Sequence, residues 1–126
     1  MARTPRISIV DDDSSVRESL RRLFRSLGFG VEAFSSAEDF LGSHRPSETD
    51  CIILDVRMPG ISGFELHRRL LTSHPRVPVV FITAHGDEEQ RSQALEAGAV
   101  DYLLKPFSEE ALLNAVDTAL SGSDVK

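Results

Sequence analysis

Carboxylates stand directly after two apolar segments of the sequence. Three aspartates at positions 11–13 follow the apolar segment 7–10, and Asp55 follows the apolar segment 51–54. Two like charges about 4 Å apart repel each other by several kcal/mol at an effective dielectric constant near 20. If the fold brings these acids together they need a cation, and ligands that are all oxygen favour Mg²⁺ or another hard ion.

Two further residues could complete a site for phosphoryl transfer. Thr83 lies at the end of a third apolar segment and offers a hydroxyl donor, and Lys105 ends a fourth and offers a positive charge. A carboxylate can act as a nucleophile and form an aspartyl phosphate, and phosphoryl transfer depends mostly on positioning and charge neutralisation. The sequence therefore predicts Mg²⁺-dependent phosphoryl chemistry at a set formed by Asp11, Asp12, Asp55, Thr83 and Lys105.

The elements that must position these side chains follow from the hydrophobic pattern. Short apolar segments alternate with longer amphipathic ones. The predicted strands are 7–10, 30–34, 51–55, 77–84 and 99–105, and the predicted helices are 14–29 with Gly28 at the end, 36–44, 62–74, 87–98 and 108–120, with a loop at 45–50. Asp13 is expected to cap the first helix and Ser108 the last.

Five strands in strict alternation with helices predict an α/β fold, with a parallel sheet covered on both faces. In such sheets ligands bind beyond the carboxyl ends of the strands, where the candidate residues would meet. The fourth helix carries few apolar residues, mostly Ala94, Leu95 and Ala97. We therefore expect it to be among the less stable elements.

Composition and charge narrow the class of protein. The chain has 126 residues and a net charge of −6, which fits one globular domain and argues against direct binding of nucleic acid. Cys51 is interpreted as a buried core residue in a reducing, cytoplasmic compartment. No apolar segment approaches the ~20 residues of a membrane span. The histidines lack the spacing of zinc ligands and are interpreted as surface residues: His44, His67, His74 and His85.

The segments ISIVDDD, ILDVRMPGISGFEL, PVVFITAHGD and ALEAGAVDYLLKPF together resemble the receiver domain of bacterial two-component response regulators. The segments DVRMPGISG and FITAHGD are most similar to the sequences of the subfamily whose receivers control a C-terminal helix-turn-helix DNA-binding domain. The resemblance implies a flavodoxin-like (βα)5 fold with strand order 2-1-3-4-5. It places the receiver domain at 6–120, between a flexible N-terminus at 1–5 and a flexible tail or linker start at 121–126.

The resemblance also implies a role for each site residue. Asp55 would be the phosphoacceptor, and a partner sensor histidine kinase would supply its phosphoryl group. Asp12 would bind Mg²⁺ directly and Asp11 directly or through water, with Asp55 and the backbone carbonyl of Arg57 completing the protein ligands. Lys105 would pair with Asp55 and then with the phosphoryl oxygens, and the peptide bond after Lys105 would be cis.

Switching is implied by the same resemblance. Thr83 would move to bond the phosphoryl group, and Tyr102 would reorient with it. Arg57 and His85 would tune the rate at which the phosphoryl group is lost. The surface of the fourth helix, fifth strand and last helix is expected to change, and to serve as the output or homodimer surface. The chain would promote its own phosphorylation and dephosphorylation without being an enzyme for other substrates.

Several alternatives remain at this point. A flavin- or nucleotide-binding module is disfavoured because three aspartates in the first loop would repel a phosphate group. An aspartate-nucleophile phosphatase is disfavoured because position 57, where a second acid would stand, is arginine. Within the receiver interpretation, the chain could regulate transcription through a DNA-binding domain absent from this sequence. It could also be a stand-alone receiver that acts by protein–protein interaction or phosphorelay.

Overall fold

The computed structural model describes residues 4–43 and 45–122. Five parallel strands form one sheet in the order β2-β1-β3-β4-β5. The strands are β1 Arg6–Val10, β2 Gly30–Phe34, β3 Cys51–Asp55, β4 Val79–Thr83 and β5 Asp101–Leu104. The helices are α1 Ser14–Ser26, α2 Ala37–Leu41, α3 Gly63–Ser73, α4 Glu88–Glu96 and α5 Glu109–Gly122. The predicted fold class, strand order and alternation are confirmed.

The two central strands are buried along their whole length, because helices cover both faces of the sheet. On one face Ile53 and Ile82 pack with the buried residues of α1 and α5. On the other face Leu54 and Phe81 pack with those of α2, α3 and α4. Cys51 is buried as predicted, and this burial raises the pKa of its thiol to about 12.

Short polar side chains start the helices where the sequence predicts them. Asp13 caps α1 by accepting hydrogen bonds from the backbone N–H groups of Ser15 and Val16. Ser36 caps α2 in the same way, and Ser108 accepts from the backbone N–H of Ala111 at the start of α5. Each cap satisfies an N–H group that the first helical turn leaves unpaired. The loops beyond the strand ends are therefore fixed locally.

Some predicted bounds and environments differ from the structure. The segment expected to be a loop contains a 3₁₀ turn at Arg45–Ser47. Helix α5 extends to Gly122, two residues beyond the predicted helix end at position 120. Of the other residues expected to be flexible, 1–3 and 123–126 lie outside the described residues, and Thr4 and Pro5 belong to no helix or strand. No helix in the described part of the chain is long and apolar enough to cross a membrane.

The interpretation of the histidines as surface residues is wrong for His67. Its side chain is only 5 % exposed and packs edge-to-face against Phe81, with ring centroids 5.3 Å apart. Position 67 lies on the face of α3 that meets the sheet, which helical periodicity assigns to the core. His85 is exposed and His74 half-buried, whereas His44 lies outside the described residues.

Candidate functional site

Three carboxylates meet at the carboxyl edge of the sheet. Asp11 directly follows β1, and Asp55 is the last residue of the neighbouring strand β3. One carboxylate oxygen from each of Asp11, Asp12 and Asp55 lies within 4.8 Å of the others. Asp11 is fully buried and Asp55 is 5 % exposed, whereas Asp12 faces solvent. The predicted acidic cluster therefore forms, with two buried members and one open to solvent.

Asp11 is held by hydrogen bonds at both carboxylate oxygens and at its carbonyl. The backbone N–H of Asp13 donates to Oδ1 over 2.9 Å, and Nζ of Lys105 donates to Oδ2 over 2.9 Å. The Arg17 guanidinium donates to the backbone carbonyl of Asp11 over 2.8 Å. These bonds fix the β1–α1 loop that also carries Asp12.

Lys105 forms ion pairs with both buried acids, at different distances. Its Nζ lies 2.9 Å from Asp11 and 3.7 Å from Asp55. The expected pair with Asp55 is therefore present, while the shorter contact is with Asp11. The peptide bond between Lys105 and Pro106 is cis, as expected. Because Nζ lies between the two acids, it offsets part of their mutual repulsion.

Asp55 titrates well above its usual range. The pKa of Asp55 is raised from 3.8 to about 7. The largest cause is burial of the carboxylate, the second is repulsion from Asp11, and repulsion from Asp12 adds to both. The Lys105 charge and a hydrogen bond from the backbone N–H of Arg57 lower it, but less strongly. The cluster therefore contains more negative charge than Lys105 balances.

This donor set fits a magnesium ion. Carboxylate oxygens of Asp11, Asp12 and Asp55 lie close enough together to share one cation. Magnesium takes few protein carboxylates and keeps several waters, and the exposed side of Asp12 leaves room for them. A divalent cation would also relieve the repulsion that raises the pKa of Asp55.

Thr83 and Tyr102 lie on the neighbouring strands toward the other edge of the sheet. Thr83 is fully buried, and its hydroxyl accepts a hydrogen bond from the backbone N–H of His85 over 3.2 Å. Tyr102 on β5 is 4 % exposed, and its hydroxyl donates to the side-chain carbonyl of Gln90 on α4. Gly86 makes room for this ring, since a Cβ at position 86 would collide with the Tyr102 hydroxyl.

Three side chains around the site were not singled out from the sequence. Arg17 could have been found, because it stands one helical turn after the cap Asp13 and so faces the acidic loop. The Glu38 carboxylate on α2 accepts from the backbone N–H of Ile61 over 3.1 Å, in the loop between β3 and α3. Gln90 contacts Tyr102 only through the packing of α4 on the sheet. Sequence spacing carries no signal for these last two contacts.

Comparison with known proteins decides the family. The family model for the response regulator receiver domain matches residues 7–117. This chain belongs to that family. The match runs from the second residue of β1 into the middle of α5, so it includes every member of the acidic cluster as well as Thr83, Tyr102 and Lys105. The resemblance stated from the sequence motifs is confirmed.

Relatives of this receiver domain include regulators of about twice its length. Response regulator protein TodT of Pseudomonas putida is 48 % identical over 114 residues, which are 90 % of this chain and 50 % of TodT. Transcriptional regulatory protein FixJ of Bradyrhizobium diazoefficiens is 39 % identical over 114 residues, 90 % of this chain and 56 % of FixJ. The chain thus spans about half the length of these curated relatives.

A solved structure agrees with the fold. The response regulator StyR superposes with a TM-score of 0.88 at 48 % identity, over 97 % of this chain and 62 % of StyR. This chain and StyR therefore share one fold over nearly the whole of this chain.

Proposed function

We propose that this receiver domain accepts a phosphoryl group on Asp55 from a phosphohistidine of a partner sensor kinase, in a Mg²⁺-dependent reaction. The observation that carries the proposal is the cluster of Asp11, Asp12 and Asp55 beside the Lys105 ammonium. A buried carboxylate with unbalanced negative neighbours destabilises a fold unless a bound cation offsets the charge, and such perturbed groups cluster at functional sites.

The Asp55 carboxylate is the nucleophile in this proposal. One Asp55 oxygen forms a bond to phosphorus while the bond from phosphorus to the histidine nitrogen breaks, and that bonding pair returns to the imidazole. Asp11, Asp12, Asp55 and the backbone carbonyl of Arg57 would hold a magnesium ion, which would neutralise negative charge on the phosphoryl oxygens. Lys105 lies 3.7 Å from Asp55 and can bond a phosphoryl oxygen from the other side.

The same residues support the acceptance of small phosphodonors and the later hydrolysis of the aspartyl phosphate. His85 is exposed in the loop after β4, and Arg57 is exposed in the loop after Asp55. Both side chains are exposed in loops that directly follow site strands, so we assign them to tuning the lifetime of the phosphoryl group. Replacing each by alanine and following the loss of the phosphoryl group over time tests that assignment.

Phosphorylation would reach the surface through Thr83 and Tyr102. The Thr83 hydroxyl oxygen accepts a 3.2 Å bond from the backbone N–H of His85, and its own O–H can donate to a phosphoryl oxygen. Tyr102 bonds Gln90 on α4, and Ala94 is the only fully buried side chain within that helix. A weakly anchored helix can change position when a single hydrogen bond changes, which is the two-state element a switch requires. We assign output or homodimer formation to the surface of α4, β5 and α5.

A groove beside the site suits the phosphodonor protein. It has a volume of about 580 Å³ and lies between α1 and the loop after β5, with Val16, Leu20 and Phe107 among its apolar lining. Lys105 also lines it, so a partner seated there would lie next to the acceptor. The segment Ser14–Arg22 of α1 would then contribute to the choice of kinase.

We further propose that the parent protein controls transcription in the cytoplasm through a DNA-binding domain absent from this sequence. The support is the relation to FixJ, a transcriptional regulatory protein, over about half of its length. In this proposal the receiver itself makes no contact with DNA.

Phosphorylation by a small-molecule donor tests the proposal. The protein and an Asp55→Asn variant are incubated with acetyl phosphate or phosphoramidate and Mg²⁺, and their intact masses are recorded. The unsubstituted receiver domain should gain one phosphoryl group. A chelator or the Asp55→Asn substitution should abolish this gain. If the unsubstituted domain binds Mg²⁺ yet gains no mass, the assignment of Asp55 as the acceptor is contradicted.

A further inference from the structure

A cleft of about 240 Å³ opens between α3 and α4, on the side of the sheet opposite to α1 and α5. Its apolar wall is formed by Phe64 and Leu71 of α3, with Ala94 and Ala97 of the α4 segment. Leu71 is 40 % exposed, so its side chain is open to a molecule in the cleft. None of these residues belongs to the phosphoacceptor site.

The cleft contains an imidazole without a hydrogen-bond partner. His67 lines it, is 95 % buried by the fold, and packs its ring against Phe81. Within residues 4–43 and 45–122 its ring nitrogens form no hydrogen bond, and no side-chain nitrogen or oxygen in that part is both sealed and unpaired. The His67 nitrogens are therefore reached from the cleft, where a bound molecule can satisfy them.

Every polar side chain on the cleft wall can donate a hydrogen bond. A neutral imidazole carries one N–H, and both the Arg68 guanidinium and the Gln93 amide carry several. Burial lowers the pKa of His67, so it is neutral near pH 7. Arg68 is the one charged side chain among the residues that line the cleft, and none of those residues is acidic. These donors and this charge select an anionic acceptor.

We propose that the α3–α4 cleft binds a small aromatic carboxylate, with its ring against Phe64 and Leu71 and its carboxylate bonded by His67 and Arg68. A cavity of about 150 Å³ already admits benzene, so 240 Å³ accommodates a single substituted ring. The volume is below the ~300 Å³ at which pockets for larger ligands begin.

A ligand there would also act on α4. Ala94 is both a wall of the cleft and the buried anchor of α4, and Gln90 one turn earlier holds the Tyr102 hydroxyl. A molecule bound between α3 and α4 adds contacts to α4 in its present position on the sheet. Its binding therefore stabilises this position of α4 relative to others. The binding itself does not depend on the phosphoacceptor role of Asp55.

Titration of the unphosphorylated protein with sodium benzoate tests the inference, using amide chemical shifts as the readout. Saturable shifts should concentrate on 64–71 and 93–97, with a smaller response at Gln90 and Tyr102. Benzyl alcohol and toluene, which offer the same ring without the carboxylate, should bind about tenfold or more weakly.

Variants assign the contacts. His67→Phe keeps the ring packing on Phe81 but removes the N–H, and should weaken benzoate binding about tenfold. Arg68→Gln should weaken it about two- to fivefold, while the matched variant Arg69→Gln, which removes the other arginine paired with Glu65, should not. Ala97→Leu, at an exposed position, should block the cleft even if His67→Phe fails to fold.

The absence of saturable shifts would overturn the inference. Equal affinity for toluene and benzoate would also overturn it, because the carboxylate would then be irrelevant. Unchanged benzoate binding in Ala97→Leu would place the molecule elsewhere on the surface.

Discussion

Replacing Asp55 by asparagine should stabilise the metal-free protein at alkaline pH. The pKa of Asp55 lies near 7 in the folded state, against about 3.9 in an unfolded chain. Between these values the folded protein binds more protons than the unfolded one, so its free energy of unfolding must fall as the pH rises. The whole pKa difference corresponds to about 4 kcal/mol at most. An asparagine at position 55 carries no charge, so the free energy of unfolding of the variant does not fall with pH for this reason.

We expect Asp55→Asn to be about 1–3 kcal/mol more stable than the parent at pH 8, with an advantage that shrinks toward pH 4. Urea unfolding at several pH values, in the presence of a chelator, measures it. Asp117→Asn, an exposed aspartate on α5 outside the acidic cluster, is the matched control and should show no such trend. Added Mg²⁺ should stabilise the parent more than Asp55→Asn, because the variant lacks one ligand. An advantage that is absent at pH 8, or constant from pH 5 to pH 8, would refute the raised pKa.

Three further substitutions probe the elements around the site. Lys105→Met leaves the buried Asp11 without its ammonium partner and should cost about 2 kcal/mol in urea unfolding at pH 7; an unchanged midpoint would contradict the pairing. Gly86→Ala should expel the Tyr102 ring from its buried position, which an increase in quenching of the single tyrosine's fluorescence by iodide would report. Asp13→Ala should cost about 1 kcal/mol through the lost helix cap, while leaving the yield of phosphorylation within error of the parent.

The sequence predicts most of the fold because the relevant signals are local. Alternating apolar and amphipathic segments place the strands and helices, and Asp13 and Ser108 cap helices because short polar side chains reach the first free N–H groups. The acidic cluster also follows from the topology, since carboxyl ends of neighbouring parallel strands meet at one edge.

What the sequence missed depends on packing between distant segments. Residue type alone assigns His67 to the surface, because histidine suits both environments; its helical spacing with Leu66 and Leu70 is the signal that places it in the core. The bond from Tyr102 to Gln90 joins residues 12 apart through the seating of α4. The bond from Ile61 to Glu38 likewise depends on how α2 meets the β3–α3 loop.

Chemical assignment of the phosphorylated residue tests the central claim most directly. The protein is phosphorylated with phosphoramidate and Mg²⁺ and then reduced with borohydride, which converts an aspartyl phosphate into homoserine. Peptide mass spectrometry then locates the change. We predict homoserine at position 55 alone. Homoserine at position 11 or 12, or a phosphoryl group that survives reduction on a histidine, would contradict the assignment of Asp55 as the phosphoacceptor.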